Sequence, residues 1–72
     1  MASLTDIPPE LLDRPSRILF LDWLASLMIP EERIYNQLMS LYTKATGMHF
    51  SGLDYRYLNN RLHLNLQNQD EL

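Results

Sequence analysis

The chain has 72 residues, no cysteine, and a formal net charge of −3 from six basic and nine acidic side chains. A hydrophobic fraction of 46% is typical of a folded domain, but a core this small contributes only about 3–5 kcal/mol of stability. The lack of cysteine excludes disulfides and thiolate metal sites, and the acidic balance disfavours general affinity for nucleic acid or anionic membranes. We predict one domain over residues 1–72, with disordered ends at 1–7 and 67–72.

The first predicted elements are a short helical turn at residues 8–12 and a longer helix from Pro15 to Met28. Pro8 and Pro9 are tolerated in the turn because a first helical turn does not use their missing N–H groups. Asp13, just before Pro15, is the predicted capping residue at the start of the longer helix. Pro30 forces a break after it.

This longer helix is apolar almost all round, interrupted only by Asp22 and Ser26. Such a helix belongs inside a protein, whereas a surface helix shows one apolar stripe. At most two other helices are available to cover it, so we expect a second copy or a different protein to cover the rest. The predicted interface consists of Ile18, Phe20, Leu21, Trp23, Leu24, Leu27 and Met28.

The second helix is predicted from Pro30 to Thr46. Glu31 and Glu32 lie where the helix dipole favours negative charge, and Gly47 supplies a left-handed C-cap. One regular stripe of apolar residues indicates the face that covers the first helix: Ile34, Leu38, Leu41, Tyr42 and Ala45.

The third helix is predicted from Gly52 to Leu64, after a capping box in which Asp54 follows Ser51 by three residues. Leu62, Leu64 and Leu66 alternate with polar residues, which leaves open a short extended segment at the end. We therefore predict an all-α fold, with three helices and a short N-terminal helical turn, associated as a homodimer.

Catalysis and metal binding have little support in the sequence. His49 and His63 are the only histidines, and neither lies beside a nucleophile motif or forms a recognisable metal site. No glycine-rich phosphate loop is present. We predict no enzymatic activity, no cofactor, no metal and no small-molecule substrate. The apolar run of 12 residues is shorter than the roughly 20 that span a bilayer, so we expect a cytoplasmic protein without a membrane partner.

The third helix carries a polar and aromatic outer face. Arginine and asparagine are the usual readers of guanine and adenine, which favours a recognition helix. The connector of residues 47–51 is longer than a helix–turn–helix turn, however, and tyrosine and arginine are equally common anchors of protein interfaces. Either partner remains open for the predicted contact residues of the third helix, which are Tyr55, Arg56, Asn59, Asn60 and Arg61. Tyr35 and Met39 of the second helix are further predicted contacts for a protein partner.

The stretch IYNQLMSLYTKATG followed by MHFSGLDYRYLNNRL resembles a small bacterial biofilm-regulator family of the AriR/YmgB type, which includes connectors of two-component signalling. The matching positions are Ile34, Leu38, Tyr42, Thr46, Gly47, Tyr55 and Leu58, whereas Trp23 and Pro30 depart from the family pattern. The resemblance implies a helical homodimer that acts on a transcriptional regulator.

From the residues and this resemblance we predict a small regulatory or adaptor protein that works by binding another protein. The alternative is a dimeric DNA-binding transcription regulator that uses helix 52–64 for recognition.

Overall fold

The computed structural model describes residues 6–29 and 31–70, including the side chains up to residue 67. All regular structure in these residues is helical, which confirms the all-α prediction. The predicted N-terminal turn is the short helix α1, and the three predicted helices are α2, α3 and α4. Their bounds are α1 Pro9–Asp13, α2 Arg17–Ser26, α3 Glu32–Thr46 and α4 Gly52–Asp70.

The helix ends follow local chemistry, with one difference from prediction. Ser16, and not Asp13, caps α2: its Oγ accepts a hydrogen bond from the backbone N–H of Leu19 at 3.3 Å. Gly47 ends α3 as predicted, in the left-handed region at φ 78°, where a side chain is strained. Asp54 forms its half of the predicted capping box by accepting the backbone N–H of Ser51 at 2.7 Å.

Helix α4 is longer than predicted, and the open alternative of an extended segment near Leu64 is wrong. Leu62 and Asn65 are half-buried on the same side as the buried Leu58, so helical spacing continues past residue 64. No glycine or proline interrupts residues 53–70. Residues 67–70, predicted to be disordered, therefore form the last turn of α4.

Residues 6 and 7 of the amino-terminal end that was predicted to be disordered are described by the structure. The side chain of Ile7 is buried, in the same core cluster as Leu11 of the short helix α1. The rest of the predicted disordered ends, residues 1–5 and 71–72, lies outside the described residues.

The core is centred on one face of α2, which a single chain covers completely. Phe20 stacks on Tyr42 of α3, with ring centroids 3.9 Å apart and planes 4° from parallel. Phe50, in the connector after α3, packs against the same pair. The buried residues of α2 are Phe20, Leu21, Leu24 and Ala25, which all lie on one side of the helix. Apolar side chains away from this side of α2, such as Ile18 and Leu19, remain exposed.

Helices α2 and α4 run in the same direction. Arg17, at the start of α2, donates to Asp54, at the start of α4, over 2.7 Å. One turn further along both helices, Tyr57 donates its hydroxyl hydrogen to Asp22 over 2.8 Å. The amino-terminal ends of α2 and α4 are therefore at the same end of the molecule, and α4 extends beyond the end of α2.

Candidate partner-binding surfaces

An apolar groove of about 680 Å³ opens between the second half of α2, the turn that follows it and the first half of α3. We call it the α2–α3 groove. Trp23 and Leu27 line it from α2, and Ile34 and Leu38 line it from α3. Its remaining lining residues are Asp6, Ile29, Arg33 and Gln37.

The turn after α2 shapes one wall of this groove. Met28 adopts a left-handed backbone conformation at φ 51°, which costs a residue with a side chain roughly 1–2 kcal/mol. This conformation ends α2 and directs the chain so that Ile29 lies on the groove wall. The strain is located where the groove is formed.

Charged side chains of both signs lie at the edge of the α2–α3 groove. Asp6 and Arg33 line it, and the exposed Glu31 and Glu32 immediately precede the lining segment of α3 in the sequence. Arg33 lies 3.9 Å from Glu31 in an exposed ion pair, which contributes little. The groove therefore has an apolar floor with one acidic and one basic residue in its lining.

A second apolar surface lies at the opposite end of α2. Ile18, Leu19 and Leu53 are 52%, 58% and 73% exposed. Ile18 and Leu53 each precede by one turn a residue of the hydrogen-bonded pair Asp22 and Tyr57, so they are neighbours across the seam between two parallel helices. We call Ile18 and Leu53 the α2–α4 patch; Leu19 lies four residues before Trp23, on the same face of α2 as that groove residue.

Charged groups of both signs lie near the α2–α4 patch, where Arg17 pairs with Asp54 and Arg61 pairs with Asp22. The guanidinium of Arg17 is held by Asp54 and by the backbone carbonyl of His49, at 2.7 and 2.6 Å, and lies 5.6 Å from the centre of the Phe50 ring. Arg56, in the first turns of α4, and Arg14, just before α2, are exposed. The amino-terminal ends of two parallel helices add partial positive charge at this end.

The residues of the predicted self-association interface differ in their burial within the single chain. Phe20, Leu21 and Leu24 are buried in the core of the single chain, so they are not available to a partner. Ile18 is exposed in the α2–α4 patch, and Leu27 is 38% exposed in the groove. The other two predicted residues, Trp23 and Met28, are half-buried.

The predicted partner-contact residues also divide into two groups. Tyr35 and Met39 are buried on the inner face of α3, which excludes them from a surface. The buried face of α3 differs from the predicted stripe. It includes Tyr35 and Met39, which lie beside the stripe, and it leaves Ala45, at the end of the stripe, exposed. Arg61 is exposed but bonded to Asp22 at 3.2 Å.

The other predicted contact residues lie on the outside of α4. Arg56, Asn59 and Asn60 are exposed, and Arg56 has no ion pair among the described residues. Tyr55 is partly exposed and its hydroxyl bonds to Asn36 at 3.2 Å. The most exposed large apolar residues of the described chain, Leu53 and Leu19, were missed. Sequence spacing does not indicate which side of the nearly all-apolar α2 faces outward, and on α4 helical spacing places Leu53 with the half-buried Tyr57 although its own side chain is exposed.

Two tyrosine hydroxyls have altered acidity. Burial raises the pKa of Tyr35, and the backbone of Ile29 opposes this only in part; the hydroxyl has no well-formed hydrogen bond among the described residues. The hydrogen bond to Asp22 raises the pKa of Tyr57. Both shifts stabilise the neutral phenol, so they favour a structural role over proton transfer near neutral pH.

The described residues hold no group of three histidine, cysteine or acidic side chains placed to bind a metal ion. In the same part of the chain no helix is long and apolar enough to cross a bilayer. No protein family, curated protein or solved structure matches the chain significantly. The resemblance to the biofilm-regulator family therefore stays a prediction.

Proposed function

We propose that the chain is a non-enzymatic adaptor that binds an apolar, basic helical segment of another protein in the α2–α3 groove. One observation carries this proposal: a chain with a closed core of its own still leaves Trp23 and Leu27 accessible in an apolar groove. An accessible apolar groove of this size is a candidate binding site.

The shape and lining of the groove favour a helix as its occupant. Two helices and a turn form its walls, and its volume lies within the range of about 300–1,000 Å³ typical of binding sites. An amphipathic helix presents side chains at i, i+3 or i+4, and i+7 to such a groove. The aromatic Trp23 supplies the kind of large planar contact that anchors protein interfaces.

The charge near the groove favours a basic occupant. The exposed Glu31 and Glu32 immediately precede the lining segment of α3 in the sequence, and the whole chain carries a net charge of −3. Complementary charge increases the association rate and disfavours acidic competitors. A regulatory role towards a transcription factor, and a cytoplasmic location, belong to this proposal and agree with the family resemblance.

The test uses the single tryptophan of the chain as its own reporter. A helical peptide with leucines at groove-binding spacing and lysines elsewhere is titrated while Trp23 fluorescence is followed. The matched peptide has glutamates in place of the lysines. We expect the lysine peptide to bind at least about tenfold more tightly, which corresponds to about 1.4 kcal/mol.

Protein variants locate the binding site. Leu27→Gln places an amide in the groove and should weaken binding of the lysine peptide. Leu64→Gln changes a residue of similar exposure outside the groove and should leave binding unchanged. Equal affinity for the two peptides, or equal loss in the two variants, would refute the proposal.

DNA binding by α4 is the second candidate, because Arg56, Asn59 and Asn60 are exposed together on its outer face. The pairing of Arg61 with Asp22 partly neutralises this face and so weakens the case for DNA. Arg56→Ala and Arg61→Ala should each weaken DNA binding and lower its salt dependence if α4 contacts phosphates. Absence of salt-dependent binding by the unmodified chain would exclude this role.

A further inference from the structure

We propose that the chain binds a neutral monosaccharide, as a ligand that it does not transform, in a small polar recess beside α3. The recess has a volume of about 240 Å³ and is formed by α3, the connector of residues 47–51 and the first turn of α4. We call it the α3–α4 recess. It is separate from the α2–α3 groove, because Ser40 in the recess follows Leu38 in the groove by two residues, about 200° around α3.

Polar side chains converge on the α3–α4 recess. Asn36, Ser40 and Thr43 line it from α3 at spacings of four and three residues, so they lie on one face of that helix. His49 lines it from the connector. The hydroxyls of Ser40 and Thr43 and the imidazole of His49 have no hydrogen-bond partner among the described residues. These groups are therefore available to a ligand.

Their availability differs from that of other hydroxyls on the helices. A serine or threonine within a helix often bonds to a backbone carbonyl of the preceding turn. Thr46 does so at the end of α3, where its hydroxyl donates to the carbonyl of Tyr42 at 2.7 Å. Ser40 and Thr43 make no such bond in the same helix, and both line the recess.

The lining of the recess both donates and accepts hydrogen bonds. The amide oxygen of Asn36 accepts the hydroxyl of Tyr55 at 3.2 Å, which leaves the NH₂ group of this amide to donate. The hydroxyls of Ser40 and Thr43 each donate and accept, and the imidazole of His49 adds a further donor. Such a lining matches ligand hydroxyls, which also donate and accept.

The recess selects against charged ligands. No lysine, arginine, aspartate or glutamate belongs to its described lining. Glu32 and Lys44, each within one turn of the lining residues of α3, have opposite signs and lie outside the lining. An ionised group that loses water on binding needs an opposite charge to compensate. A phosphate or an ammonium group therefore gains little here, and a neutral ligand is favoured.

Size and shape favour a single sugar ring. The volume of about 240 Å³ lies below the range of about 300–1,000 Å³ for drug-sized ligands. The buried Met39 and the half-buried Phe50 also line the recess, and the C–H groups of a sugar ring can pack against them. A monosaccharide carries hydroxyls all round its ring, so it can use the hydroxyls of α3 and the imidazole of His49 together.

The experiment titrates the isotope-labelled full chain with the methyl glycosides of glucose, galactose and mannose, and follows the amide chemical shifts. The phosphates of the same three sugars are the charged controls. We expect at least one neutral glycoside to give saturable changes at Ser40, Thr43 and His49. Its dissociation constant should be on the order of 1 mM, as expected for a ligand of one ring, and the phosphate of the same sugar should bind more weakly.

Matched variants locate the ligand. Ser40→Ala and Thr43→Val each remove a hydroxyl without a partner in the described chain, so the fold is retained, which circular dichroism checks. Each should weaken glycoside binding about three- to tenfold. Ser26→Ala removes a hydroxyl of α2 that lies outside the recess and donates to the carbonyl of Trp23, and it should leave glycoside binding unchanged.

Three results would overturn this proposal: no saturable change at the recess with any of the three neutral glycosides, tighter binding of the sugar phosphates, or equal loss of affinity in Ser26→Ala. The lysine peptide separates this proposal from the proposed function. Because the two sites lie on different sides of α3, a saturating glycoside should leave peptide affinity unchanged. Failure of glycoside binding removes only the sugar site, whereas failure of peptide binding removes only the adaptor function.

Discussion

Removing the hydroxyl of Tyr42 should destabilise the fold more than any change of similar size on the surface. This hydroxyl donates to the backbone carbonyl of Leu11 at 2.7 Å and accepts the backbone N–H of Ser16 at 3.1 Å. The backbone carbonyl of Leu11 has no hydrogen-bond donor four residues later, because Pro15 lacks an N–H. The backbone N–H of Ser16, the N-cap of α2, has no acceptor inside the helix. One side chain of α3 therefore satisfies two groups that α1 and α2 leave unpaired.

The magnitude follows from these contacts. Tyr42→Phe keeps the stack on Phe20 and removes only the two hydrogen bonds. Leaving a buried carbonyl unpaired costs about 1–3 kcal/mol, and the half-buried N–H of Ser16 adds a smaller amount, so we expect a loss of about 2–3 kcal/mol. For a domain of this size, that lowers Tm by roughly 10–20 °C.

Thermal and urea unfolding, followed by far-ultraviolet circular dichroism, measure this loss. Tyr55→Phe is the matched control, because its hydroxyl bonds to Asn36 in an exposed position and its removal should change stability by less than about 0.5 kcal/mol. If Tyr42→Phe costs no more than Tyr55→Phe, the hydroxyl does not join α1 and α2 to α3 as described.

Three further changes have defined outcomes in the same unfolding assays. Gly47→Ala should cost about 1 kcal/mol because the position is left-handed at φ 78°, whereas Gly52→Ala, at the first residue of α4, should stabilise slightly; equal effects would contradict this assignment. Asp54→Ala should cost about 1–3 kcal/mol by leaving the backbone N–H of Ser51 and the guanidinium of Arg17 without this acceptor, and a neutral result would refute it. Because folding raises the pKa of Tyr35 above 10.0, the folded state holds this proton more tightly. Stability should therefore be unaffected below about pH 9 and fall as pH rises past about 10; Tyr35→Phe should reduce that alkaline loss, and an unchanged pH profile would contradict it.

Features that depend on neighbouring residues in the chain were predictable. Gly47 as a C-cap, the short α1 after two prolines, and the role of Asp54 beside Ser51 each depend on a few adjacent positions. The all-α fold follows from the same local signals. The N-cap of α2 was predicted three residues too early. Asp13 and Ser16 both carry suitable side chains, but Asp13 is the last residue of α1, and Ser16 caps α2.

The orientation of helices was not predictable where the sequence is uniform. Around α2 nearly every position is apolar, so no pattern marks Phe20 and Leu24 as inner or Leu19 as outer. On α3 the buried Tyr35 and Met39 lie beside the regular stripe, and contact with several other elements widens the buried face. In both helices, tertiary packing determines which residues reach the surface.

The α2–α3 groove itself is a long-range feature. It requires α2, the strained turn at Met28 and α3 to be placed together, with Asp6 added from the start of the chain. Individual residues of the groove, Trp23 and Leu27, were identified as sites of association because they are large and apolar. Ile29 and Ile34 were not identified, since their exposure depends on the turn at Met28 and on how α3 is placed beside it.

The most direct test of the groove as the binding surface is an amide and indole chemical-shift map of the labelled chain on titration with the lysine–leucine helical peptide. We predict that the largest changes fall on the indole of Trp23 and the backbone of Leu27, Ile29 and Ile34, with the outer face of α4 around Asn60 unchanged. Changes centred on that face of α4, or spread evenly over the chain, would contradict the groove as the site where this protein binds its partner.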